Sequence, residues 1–143
     1  MNAPSPACDL CNNTGGTVLW QNGLCRVVEV ADQHYPGFLR VILNRHAREM
    51  ADLEDGERGS LMEIVFAVEK VVRDTMRPDK MNLASLGNMS PHVHWHVIPR
   101  YRDDRHFPGP VWAAVQREDV VPAERRERAG KLAATVAQRL KGF

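Results

Sequence analysis

Apolar positions change period along the chain, and each change marks an element. Thr17 to Trp20 and Leu24 to Val30 are rich in apolar and β-branched residues and are split by Asn22-Gly23. Asn-Gly between two such runs is the strongest short-range hairpin signal, so both runs are predicted as strands. His34-Tyr35-Pro36-Gly37 reads as a second turn and Phe38 to Leu43 as a third strand. From Glu54 to Met76 the period lengthens. Leu61, Ile64, Val65, Val68, Val71 and Val72 follow helical spacing, with Glu63, Lys70 and Arg73 on the opposite face. Arg77-Pro78-Asp79 ends that helix, because the residue before a proline is pushed out of the helical region. Met81 to Gly87 and His92 to Pro99 return to strand patterning, and Tyr101 to Pro110 is a charged loop. Ala123 to Leu140 closes the chain as a helix with Leu132, Ala133, Val136 and Leu140 inward. This order predicts an α+β fold: a mainly antiparallel sheet of about five strands, one central helix and one C-terminal helix. A single domain is expected over residues 1–143, with Met1 to Pro6 loose because two prolines there leave little to pack.

Composition narrows the class. The chain has 143 residues, 43% of them hydrophobic and 26% charged, the profile of one globular domain. Nineteen Lys and Arg against eighteen Asp and Glu leave a formal net charge of +1. No global basic excess draws the protein to nucleic acid or an anionic membrane, so any anion site has to be local. Apolar runs fall short of the ~20 residues of a membrane helix, and Met1 to Pro6 has neither the basic nor the apolar region of a secretory leader. Three cysteines argue against a disulfide framework and for a reducing compartment, which makes the cytoplasm the expected location.

The segment that demands chemistry is His92-Val93-His94-Trp95-His96-Val97-Ile98-Pro99-Arg100. On a strand, His92, His94 and His96 share one face at ~6.6 Å intervals, while Val93, Trp95 and Val97 face the core. A lone strand histidine is ordinarily a satisfied core or surface residue. Three in alternation cost desolvation and repulsion unless something uses them. One use is a transition-metal site, imidazole being the commonest metal ligand. The other is a nucleophilic imidazole whose neighbours fix its tautomer and bind phosphoryl oxygens. Large metal hydrolase barrels exceed this chain length, and only His106 follows the row, in a loop, so the nucleophile leads. A metal-dependent enzyme built on the row is the remaining reading.

His-φ-His-φ-His-φ-φ, with φ apolar, is the motif of the histidine triad (HIT) nucleotide hydrolases and transferases, and His92 to Ile98 match it fully. The resemblance extends over roughly residues 8 to 112. It takes in the two-cysteine start, the hairpin, the Pro-Gly turn into Phe38 to Leu43, and Asn44-Arg45-His46, which resembles the family's Pro-Lys-x-His segment. The chain looks most like bacterial HIT proteins described as diadenosine-polyphosphate hydrolase-like. The resemblance implies a homodimer with a HIT-like fold acting on a nucleotide substrate. The substrates it implies are a dinucleoside polyphosphate, such as diadenosine tetraphosphate, or a nucleoside phosphoramidate. It implies His94 as the nucleophile that becomes a nucleotidyl-imidazole. His96 would contact phosphate or protonate the leaving group, and His92 would buttress the site. No metal or cofactor is required for that step. Asn88 would orient the nucleophile or bind phosphate. Met89-Ser90-Pro91 is shorter than the family's Gly-Gln-Ser/Thr segment, with Ser90 as its stand-in. The ribose position aligns with Val30, and Asp32 serves only if the register slips.

Cys8-x-x-Cys11 by itself fits a zinc half-site, a redox pair or two ordinary cysteines. By resemblance to HIT relatives with this start, Cys8, Cys11, His46 and His92 would close a structural Cys2His2 zinc site. Cys25 lies mid-strand and reads as core. Arg100, Arg102 and Arg105 with His106 form a local basic cluster, either a solvated loop or a reader of distal phosphates. Trp112 resembles an aromatic that HIT dimers place near the partner's site, whereas Trp20 and Trp95 read as core. The reading from another class is a non-catalytic, zinc-stabilised nucleotide-binding module.

Overall fold

The computed structural model describes residues 4–143. The expected looseness of Met1 to Pro6 therefore lies partly outside the described residues. A one-turn helix α1 (Asp9–Asn12) leads into strands β1 (Thr17–Gln21), β2 (Cys25–Glu29) and β3 (Leu39–Leu43). A 3-10 turn (Met50–Asp52), the long helix α2 (Asp55–Met76), and strands β4 (Lys80–Ala84) and β5 (His94–Arg100) follow. Helices α3 (Ala123–Ala129) and α4 (Leu132–Arg139) close the chain. The sheet order is β1-β2-β3-β5-β4, every neighbouring pair antiparallel. The fold is α+β, as the pattern predicts.

The first hairpin closes on Asn22, whose side-chain oxygen accepts from the Leu24 and Cys25 N–H groups at 2.9 Å each. At the β2–β3 turn, Gly37 has φ +86, and a Cβ there would sit 3.0 Å from the Met76 side chain. The turn needs glycine both for its conformation and for that approach. Helix α2 starts at a capping box between Glu54 and Glu57 and ends where Arg77 turns left-handed ahead of Pro78. Its inward face, Leu61, Ile64, Val65, Val68, Val71, Val72 and Met76, is buried on Val27, Leu39, Val41, Leu43 and Val97 of the sheet. Burying each such side chain is worth about 1.5–3 kcal/mol. Cys25 belongs to this core, and burial pushes its thiol up to about 12.

Every strand alternates, so the opposite face carries Arg26 and Val28, Arg40 and Ile42, then His94, His96, Ile98 and Arg100. Among the described residues no α2-like helix covers that face. Cys8 and Leu10 pack on Val28 and Ile42 at one end, and Tyr35, Phe38 and Val111 pack around Ile98 at the other. His94 and His96 lie between these two covers, 7% and 5% exposed.

Three boundaries differ from the sequence expectation by more than one residue or by a break. Strand β5 starts at His94, not His92, because the Val93 N–H donates to Ala47 O (2.8 Å), which draws the chain onto the 44–47 segment. Strand β4 stops at Ala84, since the next residue, Ser85, turns its hydroxyl onto the His94 carbonyl at 2.8 Å. The single C-terminal helix is broken at Gly130-Lys131, where glycine's weak helical preference permits the break.

Candidate functional site

Leaving the strand gives His92 a different task from its two neighbours. Its Nε2 lies 2.6 Å from Leu43 O, a contact that requires Nε2–H to donate, so Nδ1 carries the lone pair. That Nδ1 lies 3.4 Å from Cys8 Sγ, 3.5 Å from Cys11 Sγ and 3.3 Å from His46 Nδ1. Cys11 Sγ lies 3.3 Å from His46 Nδ1, and the four ligand atoms fall within 4.8 Å of one another. Tetrahedral zinc with Zn–S of ~2.3 Å and Zn–N of ~2.05 Å would set these edges at about 3.3 to 3.8 Å. The donor set fits: two thiols on consecutive sides of the α1 turn, two imidazoles, and a backbone carbonyl orienting one of them from behind. This Cys/His group could hold a metal ion, with the geometry of a closed structural site rather than an open catalytic one.

The His92 backbone serves the other side. Its carbonyl oxygen accepts from His94 Nδ1 at 2.6 Å, which places the His94 proton on Nδ1 and leaves Nε2 with a free lone pair. Burial lowers the His94 pKa, the carbonyl contact opposes it, and the Arg40 charge lowers it further. The imidazole is therefore neutral at pH 7. His96 stands edge-on to it, with ring centroids 4.9 Å apart, and its Nδ1 is buried without a partner. Burial first, then His94 and Arg40, bring its pKa to about 4. Two neutral imidazoles thus stand side by side in the cleft between the two covers, His94 with a free Nε2 and His96 with a buried, unpartnered Nδ1. Phe38 and Trp112 pack edge-on to His96 at 5.7 and 4.9 Å, and Trp112 leaves half its surface open. The aromatic expected near a partner's site lines the cleft of its own chain.

The basic cluster separates. Arg100 is a correction: it is 2% exposed and bonded through Nε and Nη2 to Asp104 at 2.8 and 3.0 Å. Its other donors reach Asn82 Oδ1 and Gly109 O, so it braces the loop instead of meeting a substrate. Burial would raise the Asp104 pKa, but Arg100 and the backbone N–H groups of Tyr101 and His106 hold it at about 2. Arg102 is exposed beyond the Arg100 end of β5, its N–H on Asp79, roughly 20 Å along the strand from His94. Arg105 faces Asp119 at 3.7 Å, and His106 stacks on Tyr35 with its Nδ1 2.6 Å from the hydroxyl. Neither is held at the His94–His96 cleft.

Of the remaining expectations, Asn88 is exposed on the loop before His92, and Ser90 is half-buried with its carbonyl receiving the His92 N–H. Asp32 Oδ1 accepts the His34 N–H of its own turn at 2.9 Å. It lines a groove of about 570 Å³ shared with Arg126 and Ala133, while Val30 packs with Tyr35, Phe38 and Ile98 on the histidine face. Two residues of the cleft are missing from the expectation: Phe38 and Arg40. Alternation from Phe38 through Arg40 to Ile42 was the available sign, since Arg40 interrupts an otherwise apolar strand.

Comparison with known proteins gives a consistent result. Residues 12–103 match the HIT domain family. The AP-4-A phosphorylase of two Mycobacterium tuberculosis strains is 32% identical over 78 residues, half of this chain and 40% of that protein. The chain thus spans less than half the length of those curated relatives. A histidine triad protein of Bradyrhizobium japonicum superposes with a TM-score of 0.74 at 27% identity, covering 94% of this chain and 98% of the other. A Zn-bound histidine triad family protein of Mycobacterium smegmatis shares the fold, with a TM-score of 0.62, 18% identity, and coverage of 92% and 94%.

Proposed function

The chain belongs to the HIT domain family, and from that footing we propose that it is a nucleotide hydrolase or nucleotidyltransferase acting through a covalent nucleotidyl-His94 intermediate. The single observation that carries this is the His94 tautomer: Nδ1–H is fixed on the His92 carbonyl, so a neutral Nε2 is presented to the cleft. Nε2 attacks the α-phosphorus of a dinucleoside polyphosphate or nucleoside phosphoramidate, forming a P–N bond as the bridging P–O or P–N bond breaks. A nucleoside polyphosphate leaving group departs as an anion, and an amine leaving group takes its proton from solvent. Water, or another acceptor such as phosphate, then cleaves the P–N bond and restores His94. His96, with its unpartnered nitrogen, meets the phosphoryl oxygens, Asn88 and Ser90 lie on the adjoining loop, and Trp112 offers a half-open ring to the base. The AP-4-A phosphorylase relative supports the dinucleoside polyphosphate as substrate and phosphate as an acceptor to include in assays.

Cys8, Cys11, His46 and His92 would hold zinc, which supplies a tether between the N-terminal segment and β5 and takes no part in the chemistry. The Zn-bound relative of the same fold supports that choice of metal. A single domain over residues 1–143, a homodimer and a cytoplasmic location complete the reading. The unpaired outer edges of β1 and β4 leave room for a second copy, and no described helix is long and apolar enough to cross a membrane.

Rapid quenching with diadenosine tetraphosphate labelled at the α-phosphate tests the mechanism. Wild type is expected to yield acid-labile label on His94, and His94→Ala to lose both label and turnover by several orders of magnitude while still binding nucleotide. Binding without any trapped adduct would return the protein to the non-catalytic module. Near-wild-type turnover by His94→Ala would overturn the nucleophile.

A further inference from the structure

Any phosphate chain entering the cleft brings negative charge, which a nearby cation has to meet. Of the three arginines on the face that presents the histidines, Arg26 is bonded to the Leu10, Asn13 and Thr14 carbonyls and Arg100 to Asp104, which leaves Arg40 beside His94 and His96. Arg40 lies directly across the β3–β5 ladder from His96 and two pairs along, on the same face, from the Ile42–His94 pair. Opposed residues in an antiparallel ladder have Cα atoms ~4.5–5.5 Å apart, so the Arg40 side chain stands beside that of His96 on the same face.

Its placement is prepared. One Nη donates to Gly15 O at 3.1 Å, and the guanidinium lies over the Phe38 ring, 5.9 Å from its centroid. The Gly15 turn comes this close only because it is glycine: φ is +84, and a Cβ would fall 2.6 Å from the Ile42 side chain. No carboxylate pairs with Arg40 among the described residues, unlike Arg100 with Asp104. Its Nε is buried with no acceptor at all. A buried charged donor without an acceptor is costly to the fold, and an anion bound beside it would relieve that cost.

We infer that Arg40 is the phosphate-binding residue of the cleft, its guanidinium taking the non-bridging oxygens of the phosphoryl group that His94 attacks. The inference rests on the nucleotidyl-transfer reading of the site and adds to it the residue that supplies the charge. Arginine suits the role because its fork of donors matches phosphate oxygens and keeps its charge through the reaction.

The test is equilibrium binding of AMP, adenosine and inorganic pyrophosphate to wild type, Arg40→Gln and Arg40→Lys by calorimetry, with melting temperatures alongside. Arg40→Gln is expected to weaken AMP about 10- to 100-fold, the range for a hydrogen bond to a charged group, and to leave adenosine unchanged. Arg40→Lys, which keeps the charge without the fork, is expected to fall between. A purely structural role through the Gly15 turn would weaken AMP and adenosine alike, and that result overturns the proposal. So does equal AMP affinity in wild type and Arg40→Gln, which leaves the nucleotide reading intact. Should wild type bind pyrophosphate through Arg40 but AMP no better, the nucleotide reading fails and the anion site stands. If Arg40→Gln does not fold, an AMP affinity in Arg40→Lys equal to that of wild type overturns the proposal. A selective loss of AMP there supports it.

Discussion

Removing the Asp104 carboxylate should unlatch the loop that carries Trp112. Oδ1 accepts from Arg100, the Tyr35 hydroxyl and the backbone N–H groups of His106 and Phe107. Oδ2 accepts from Arg100 Nε and the Tyr101 N–H. Asp104→Ala strands a guanidinium that is 2% exposed, and breaking a buried pair in this way costs about 3–5 kcal/mol. For a chain of this length that is a fall in Tm of about 10–15 °C. The pH dependence has a definite sign. The Asp104 pKa is about 2 in the fold against an ordinary 3.8, so its ionised form is favoured by folding. That contribution, about 2 kcal/mol at 1.36 kcal/mol per unit, is complete above pH 3.8 and disappears as the pH falls through 2. Urea unfolding at pH 7 and pH 2 measures both effects, with an unchanged m value as the sign that the denatured state is comparable. The stability gap between wild type and Asp104→Asn should narrow by about 2 kcal/mol at the lower pH. Replacing both partners, Arg100→Met with Asp104→Leu, should recover much of the loss, because an apolar pair leaves no buried charge. A loss below about 1 kcal/mol in Asp104→Ala, or an equal loss in the double variant, would refute the latch.

Two further outcomes follow from the placement of the metal ligands and the loop arginines. Purified protein should contain about one zinc per chain, and chelation should lower Tm by roughly 10 °C or more and turnover with it. The coupling arises because His92 offers Nδ1 to the metal and its carbonyl to His94. Metal-free protein with unchanged melting would refute the site. Arg102→Ala with Arg105→Ala should change KM for a dinucleoside polyphosphate by no more than about twofold, since Arg102 lies beyond the far end of β5 and Arg105 faces Asp119, away from His94 and His96. A tenfold rise in steady-state KM for that substrate alone would restore them as readers of distal phosphates.

The sequence by itself determined the elements and the chemistry they carry. Alternation and helical period are local properties, so Leu61 to Val72 announce a buried helix face, and Asn22-Gly23 a hairpin, without knowledge of any neighbour. His94 and His96 fall on one face for the same reason, two residues apart on one strand. What lay beyond local pattern was decided by packing. His92 belongs to the same run of letters, yet the backbone bond from Val93 to Ala47 takes it off the strand and into the Cys8, Cys11 and His46 group. In the sequence Arg100 heads a basic cluster after the histidine strand and Arg40 interrupts an apolar strand, and neither pattern states its partner. Asp104, four residues downstream of Arg100, neutralises one, while the ladder sets the other beside His96, 56 positions away, with no carboxylate among its described partners. Whether a charge is a brace or a binding group depends on which partners the fold brings within ~3 Å, and that is a property of tertiary contacts between residues far apart in the chain.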